Sequence, residues 1–246
     1  MPKAIFIDTS RCTACRGCQI ACKEWNGLPP NQTKQRGSHQ NPEDLNPNNY
    51  KLVRFSEYLD GTTIRWVFFP DQCRHCQDPP CIAVGGALVE GAMFQDPQTG
   101  AVVYTEKTSQ ISEQDFEEIR EACPYNIPRR NPTTGQISKC TMCFDRISHG
   151  LVPSCVKACP TGAMNFGDYE NMLALAKSRL ETLQKTYPKS MLADADSVNV
   201  IYLMTDDPKR YHEFSVAQQD TGISRSKFLA HAISPFKRTL ESLLQG

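Results

Sequence analysis

The chain has 246 residues and 27.6 kDa, with 27 basic and 27 acidic side chains that cancel, 39% hydrophobic residues, 17 prolines, 14 glycines and 12 cysteines. Balanced charge argues against nucleic acid as a partner, and no apolar run, Trp66-Val67-Phe68-Phe69 among them, approaches the roughly 20 residues that a membrane-spanning helix needs. The length allows one large domain or two small ones with a real core.

Lys3-Ala4-Ile5-Phe6-Ile7 reads as a strand and runs almost directly into Arg11-Cys12, which leaves no room for the apolar segment and cleavage site of an export signal. The first cysteine run follows as Cys12-x2-Cys15-x2-Cys18-x3-Cys22. Residues 26–49 are rich in Asn, Gln and Pro and predict a surface excursion. Residues 50–59 and 62–69 flank Asp60-Gly61, a hairpin signal. A second cysteine set is Cys73-x2-Cys76-x4-Cys81, with a lone Cys123 directly before Pro124. The third is Cys140-x2-Cys143-x11-Cys155-x3-Cys159, again with a proline, Pro160, behind it. Ala163-Met164-Asn165-Phe166 is expected to pair with the first strand. Over residues 169–187, Met172, Leu173, Ala176, Leu180 and Leu183 form a helical stripe that Asp168 would cap. Residues 198–204 predict a strand, and residues 228–244 form an amphipathic stretch that suits either a core helix or a strap on a partner.

Three uses compete for the cysteines. Disulfide frameworks suit short secreted chains with well-spread cysteines. Structural zinc would account for Cys-x2-Cys pairs, with four thiolates around each ion. Three thiolates in steps of x2, with a fourth three residues further on, is the run of the bacterial ferredoxins, in which the fourth cysteine serves the other cluster of a pair. A tight loop lets three thiolates reach three iron corners of a cubane, and the following short helix carries the fourth away toward a second cluster. A proline after the last cysteine ends that helix; Cys22 departs from the pattern because Lys23 follows it. His75 reads as a loop residue, Trp25 and Trp66 as packing, and Lys139 as either a solvated side chain or a cation that favours a more negative, reduced cluster. No Ser-His-Asp arrangement, phosphate-binding glycine loop or paired-carboxylate motif appears, so no catalytic residue is assigned.

Cys-Arg-His-Cys-Gln-Asp-Pro-Pro-Cys (73–81), Ala-Cys-Pro-Tyr (122–125), Lys-Cys-Thr-Met-Cys-Phe-Asp-Arg-Ile (139–147) and Pro-Ser-Cys-Val-Lys-Ala-Cys-Pro-Thr-Gly-Ala (153–163) resemble the motifs of the iron–sulfur electron-transfer subunits of the dimethyl-sulfoxide reductase superfamily. The resemblance spans residues 4–167. Members of that family carry sixteen ligand cysteines in four motifs, whereas this chain has 12 cysteines. On the family's pattern the absent ligands fall at Gly85, Glu113, Phe116 and Ile119, and all four would have bound one cluster. The resemblance therefore implies three complete [4Fe–4S] clusters: Cys12, Cys15, Cys18 and Cys159; Cys140, Cys143, Cys155 and Cys22; and Cys73, Cys76, Cys81 and Cys123. Residues 112–122 are then expected to form a helix, with Phe116 and Ile119 packing where a cluster used to be.

The fold implied is α+β, with two ferredoxin-like lobes, one inserted in the other. Residues 1–30 and 137–168 would form the two-cluster lobe, 31–69 a surface loop and β-hairpin, 70–136 the single-cluster lobe, and 169–246 a helical C-terminal extension. Within the superfamily, residues 13–23 and 69–76 look most like the beta subunit of a tungsten- or molybdenum-dependent formate dehydrogenase. That implies a non-catalytic electron-transfer subunit paired with a pterin-containing catalytic alpha subunit and serving a soluble carrier such as a cytochrome or ferredoxin, with no nucleic acid and no membrane segment. It also implies a periplasmic location, the twin-arginine signal lying on the catalytic subunit, with the cytoplasm as the alternative. An internal gap would break a tunnelling relay, so the lost cluster is expected to have been terminal, leaving the third cysteine group as the exit. The competing readings are the corresponding subunit of a polysulfide, sulfoxide or arsenate reductase, and a zinc-binding scaffold, which would be colourless.

Overall fold

The computed structural model describes residues 1–217. In chain order its elements are β1 (Lys3–Asp8), α1 (Gly17–Trp25), β2 (Leu52–Asp60), β3 (Thr63–Asp71), α2 (Pro80–Gly85), β4 (Met93–Gln95), β5 (Val102–Tyr104), α3 (Glu113–Glu121), β6 (Arg129–Arg130), β7 (Ile137–Ser138), α4 (Phe144–Ile147), α5 (Ser154–Lys157), β8 (Met164–Asp168), α6 (Tyr169–Gln184), β9 (Met191–Ala193), β10 (Val200–Met204) and α7 (Pro208–Tyr211). The mixed α/β content agrees with the expected class. The amphipathic stretch at 228–244 lies outside the described residues.

The organising sheet has the order β8-β1-β10-β9. β1 pairs antiparallel with β8, as its sequence suggests, and parallel with β10 on its other edge. Both edges being covered explains why β1 is a continuous apolar run, buried from Ala4 to Asp8. Its side chains alternate between two compartments. Phe6 joins Ile201, Leu203, Leu173, Ala176 and Leu183 beneath α6, while Ile5 and Ile7 join Val200, Tyr202 and Met204 on the face that also holds Cys18 and Cys155.

Three expectations shift in detail. The hairpin turn falls one residue later than the Asp60-Gly61 reading, because Asp60 pairs with Thr63 and leaves Gly61 and Thr62 as the loop; Gly61 supplies the positive φ of +61° that a two-residue turn requires at its first position. Asp168 precedes α6 as expected, yet its side chain makes no cap bond. It faces Lys3 across the β1–β8 register and forms a 2.5 Å ion pair there instead. The third difference is larger. The segment read as a helical extension also supplies β9 and β10, and β10 is an inner strand of the sheet. Just before it, Gln77 N–H donates to Ser197 O, and the N–H groups of Asn199 and Val200 donate to Arg74 O, so this segment is a seam between the sheet and the loop of Cys73 and Cys76.

Buried charge fastens that seam. Asp71 accepts from Arg54 at 2.8 Å and from Arg74 at 3.0 Å, and the Arg74 guanidinium lies over the rings of Phe69, Tyr125 and Tyr202 at 5.0, 5.0 and 4.5 Å. Burial alone would raise the Asp71 carboxyl; Arg74 and Arg54 outweigh it and hold it below its ordinary value. Asp44 bridges Arg54 and Arg129 at 2.5 and 2.6 Å, which ties the 26–49 excursion to the body.

Because Ile201 is fully buried in a compartment that contains no cysteine, Ile201→Ala should cost about 2–5 kcal/mol. The expected readout is a lower denaturation midpoint with unchanged iron content; loss of iron in the folded variant would mean that the two faces of the sheet are not independent.

Candidate metal centres

Three of the four Cys-x2-Cys loops share one backbone device. The residue before the second cysteine has a left-handed conformation in each: Ala14 at φ 53°, His75 at φ 48° and Met142 at φ 59°. None is glycine, so each turn carries a conformational cost that its surroundings must outweigh. The turn aims an N–H back at the first sulfur of the loop. His75 N–H donates to Cys73 Sγ at 3.4 Å, Met142 N–H to Cys140 Sγ at 3.3 Å, and Ala14 N–H to Cys12. Successive inward N–H groups of this kind form a concavity for negative charge.

Distant segments meet in these groups. Cys12, Cys15, Cys18 and Cys159 are mutual electrostatic neighbours, and Cys22 neighbours Cys140, Cys143 and Cys155. The helices α1 and α5 pack against each other. Cys18 and Cys22 stand four residues apart on α1, which advances the chain about 6 Å, enough to pass from one group to the next. Cys155 on α5 and Cys159 just beyond it do the same in the opposite sense. The third group, Cys73, Cys76, Cys81 and Cys123, lines one cavity together with Pro79, Pro80, Val102, Tyr125, Ile127 and Lys139. The groups also have an order. Cys18 and Cys155 interact across the first boundary, and Cys140 and Cys73 across the second, so the group containing Cys22 lies between the other two.

The four positions lacking cysteine are also accounted for. A Cβ placed on Gly85 would stand 2.7 Å from Ile119 Cδ1 and 2.8 Å from Met93 Sδ. Ile119 is fully buried and Phe116 nearly so, both on α3, whose N-cap Ser112 accepts from Asp115 N–H at 3.1 Å. Glu113 faces outward and pairs with Arg130 at 3.2 Å. Apolar side chains fill the space between α2 and α3, as expected for residues 112–122.

The donor chemistry fits thiolate-bound iron. Burial first, and neighbouring thiols after it, push Cys18 up to about 11, Cys123 to about 12 and Cys140 to about 12, and Cys155 is pushed up to about 11 against the nearby Lys51. Such thiols ionise together only if positive charge sits among them. Cys159 differs. Burial would raise it, but the N–H groups of Met164, Thr161 and Ala163 and the Thr161 hydroxyl bring it below its ordinary value. Among the described residues no three of His, Cys, Asp or Glu converge closely enough to hold a single ion. The buried hydroxyl of Tyr104 has no oxygen or nitrogen partner and faces Cys81.

Besides Arg74, two buried lysines border these groups. Lys139, undecided from sequence, is 4% exposed; it donates to Val102 O at 2.6 Å and Cys140 O at 2.9 Å and lies 4.5 Å from the Tyr104 ring centroid. The second is Lys51, which the sequence does not mark. It is 1% exposed at the edge of the hairpin, bonded to the Gln72 side chain and to Pro70 O. Burial would depress its ammonium, but Cys155, Cys18, Tyr202 and Cys140 outweigh that and hold it above its ordinary value. Nothing in the periodicity of residues 50–59 marks it. His75 is buried and accepts Val102 N–H at Nδ1, which places its proton on Nε2; burial and then Lys139 keep it neutral. Trp25 and Trp66 are about half exposed instead of packed inside, Trp25 being covered by the Arg146 guanidinium 4.1 Å from its ring.

Comparison with known proteins agrees with this chemistry. Residues 64–169 match the family model of the 4Fe-4S dicluster domain. The chain is 57% identical over 217 residues to the formate dehydrogenase 2 subunit beta (cytochrome c-553) of Nitratidesulfovibrio vulgaris, covering 87% of this chain and 99% of that one. It is 50% identical over 217 residues to the formate dehydrogenase subunit beta of Megalodesulfovibrio gigas, covering 88% and 100%. A more distant relative is one of the polypeptides of the anaerobic dimethyl sulfoxide reductase of Escherichia coli, at 33% over 169 residues, 68% of this chain and 74% of the other.

The spatial exchange sets a test of ligation. Cys159→Ala should disrupt the cluster of Cys12, Cys15 and Cys18, and Cys22→Ala that of Cys140, Cys143 and Cys155. Resolved by their electron paramagnetic resonance signals, damage in each variant to the cluster nearest in sequence would show that the fourth cysteines are not exchanged.

Proposed function

The chain belongs to the iron–sulfur beta subunits of formate dehydrogenases, and on that premise we propose that it carries three [4Fe–4S] clusters and relays electrons between the pterin site of a catalytic alpha subunit and an external soluble acceptor. The observation that carries the proposal is the ordered row of three cysteine tetrads. Bound at these tetrads, the clusters would supply one-electron oxidation and reduction. The protein's part is to hold twelve thiolates, donate N–H groups to them and keep water out.

Burial along the row marks its two ends. All four cysteines of the middle group are buried, whereas Cys15 in the first is exposed and Cys76 and Cys123 in the third are partly so. The two outer groups are thus the ones able to exchange electrons with other proteins. We assign the first group to the catalytic side and the third to the exit, since α3 and Ile119 close the path beyond it where a fourth cluster would continue. The groups of Cys12 and Cys140 read as one ferredoxin-like lobe and that of Cys73 as a second, nested within it. A cytochrome is the natural acceptor to try, given the c-553 cytochrome in the name of the N. vulgaris relative. The reading also places the complex in the periplasm, exported folded with its catalytic partner; finding the assembled complex in the cytoplasmic fraction would overturn that placement. Higher identity to formate dehydrogenase subunits than to the sulfoxide reductase polypeptide favours formate over the other pterin enzymes.

Purified holoprotein should contain about twelve iron and about twelve acid-labile sulfide per chain, three cubanes with four thiolates each, and should be brown and bleached by dithionite. A content near eight or sixteen would refute the count. In the complex with the alpha subunit, formate should bleach the same absorbance, and a partner that reduces the clusters only with another substrate would refute the formate assignment.

A further inference from the structure

The row of cysteine groups has two internal boundaries, and a buried lysine stands at each. Lys51, 1% exposed and bonded to the Gln72 side chain and Pro70 O, lies within electrostatic range of Cys18 of the first group and of Cys155 and Cys140 of the middle one. Lys139 precedes Cys140 in the chain, bonds its carbonyl oxygen at 2.9 Å, lines the cavity of the third group and acts on Cys81. Neither forms an ion pair with a carboxylate among the described residues. A buried cation without a counter-charge is strongly unfavourable, so the compensating negative charge must come from the thiolate-ligated groups on either side. A cubane with four thiolates is anionic, and reduction adds one more negative charge. A fixed ammonium beside it therefore favours the reduced state more than the oxidised one.

Building on the three-cluster reading, we propose that Lys51 and Lys139 are positioning residues whose buried charges raise the reduction potentials of the clusters they border, Lys51 acting on the first and middle clusters and Lys139 on the middle and third. The middle cluster borders both and is raised by both. Hydrogen bonding alone does not require lysine at either place, because the acceptors are the Gln72 side chain and backbone carbonyls, which a neutral amide donor would also satisfy. What a neutral amide lacks is the charge.

The experiment is a potentiometric titration of the holoprotein followed by electron paramagnetic resonance, comparing wild type with Lys51→Gln, Lys51→Met, Lys139→Gln and Lys139→Met. Wild type tests the underlying reading separately: fewer than three clusters there would refute the count, not the role of the lysines. With three clusters present, both Lys51 substitutions should lower the first and middle midpoints and spare the third, and both Lys139 substitutions should lower the middle and third and spare the first. The expected change is about tenfold in the ratio of reduced to oxidised cluster at fixed potential, about 59 mV for a one-electron couple. Unchanged midpoints, an equal shift of all three clusters, or full rescue by Gln but not by Met would overturn the proposal, the last by showing a hydrogen-bonding role. If the Met variants do not retain their clusters, the Gln variants decide the matter alone.

Discussion

The structure depends on two short helices lying side by side. α1 holds Cys18 and Cys22, and α5 with its exit holds Cys155 and Cys159, each pair split between the same two cysteine groups. Neither group is complete unless residues 12–22 and 140–159 stay in register. The sheet enforces that register. β1 leads into the first run and β8 leaves the last, and Asp8 N–H donates to Ala163 O where the two segments part. Chain segments more than a hundred residues apart must pair before either group closes, a topology that folds slowly. Thiols whose repulsion and burial oppose joint ionisation make metal binding part of the folding free energy.

The region around Gly85 is packed as solid core. An open space of cluster size there would carry the cost of any core cavity. Phe116 and Ile119 of α3 fill the space against α2, and a side chain on Gly85 would collide with Ile119 and Met93. Cys123, next to α3, stands with Cys73, Cys76 and Cys81 because the chain turns after α3, Asn126 N–H donating to Cys123 O.

How much was legible follows from what each signal measures. Local chemistry was readable: the β1 run, the hairpin, the α6 stripe and the α3 helix all appear, since each depends on periodicity or turn residues close in sequence. The grouping of the cysteines rests on the resemblance to the iron–sulfur subunits, since spacing within one run does not say which distant run supplies a fourth thiolate. Whatever depends on register between distant segments was not. From sequence β10 belongs to an appendage, for nothing in Val200-Ile201-Tyr202-Leu203-Met204 says which strand it will join. Lys51 reads as an ordinary strand residue, and only the tertiary packing shows it fully enclosed. Asp168 failed as a cap because a cross-strand lysine competed successfully for its carboxylate.

A relay must also hold its spacings, since transfer between centres is acutely sensitive to distance, and the third group is the one least anchored by the α1–α5 pair. Its anchor is Arg74, inside the loop between Cys73 and His75. The side chain is fixed by Asp71 at the end of the hairpin, by Tyr202 on the inner strand and by Tyr125 just past Cys123, while its carbonyl accepts from Asn199 and Val200. One buried residue thus joins the hairpin, the sheet and both segments of the third group. A salt bridge alone would be a poor stabiliser at such depth, given the desolvation it costs. Its value here is geometric: Arg74 has five donors in a rigid plane and can stack on rings while it pairs, so the third group cannot shift relative to the middle one without breaking several oriented contacts at once. The same enclosure that makes the charge expensive keeps the groups at fixed separations.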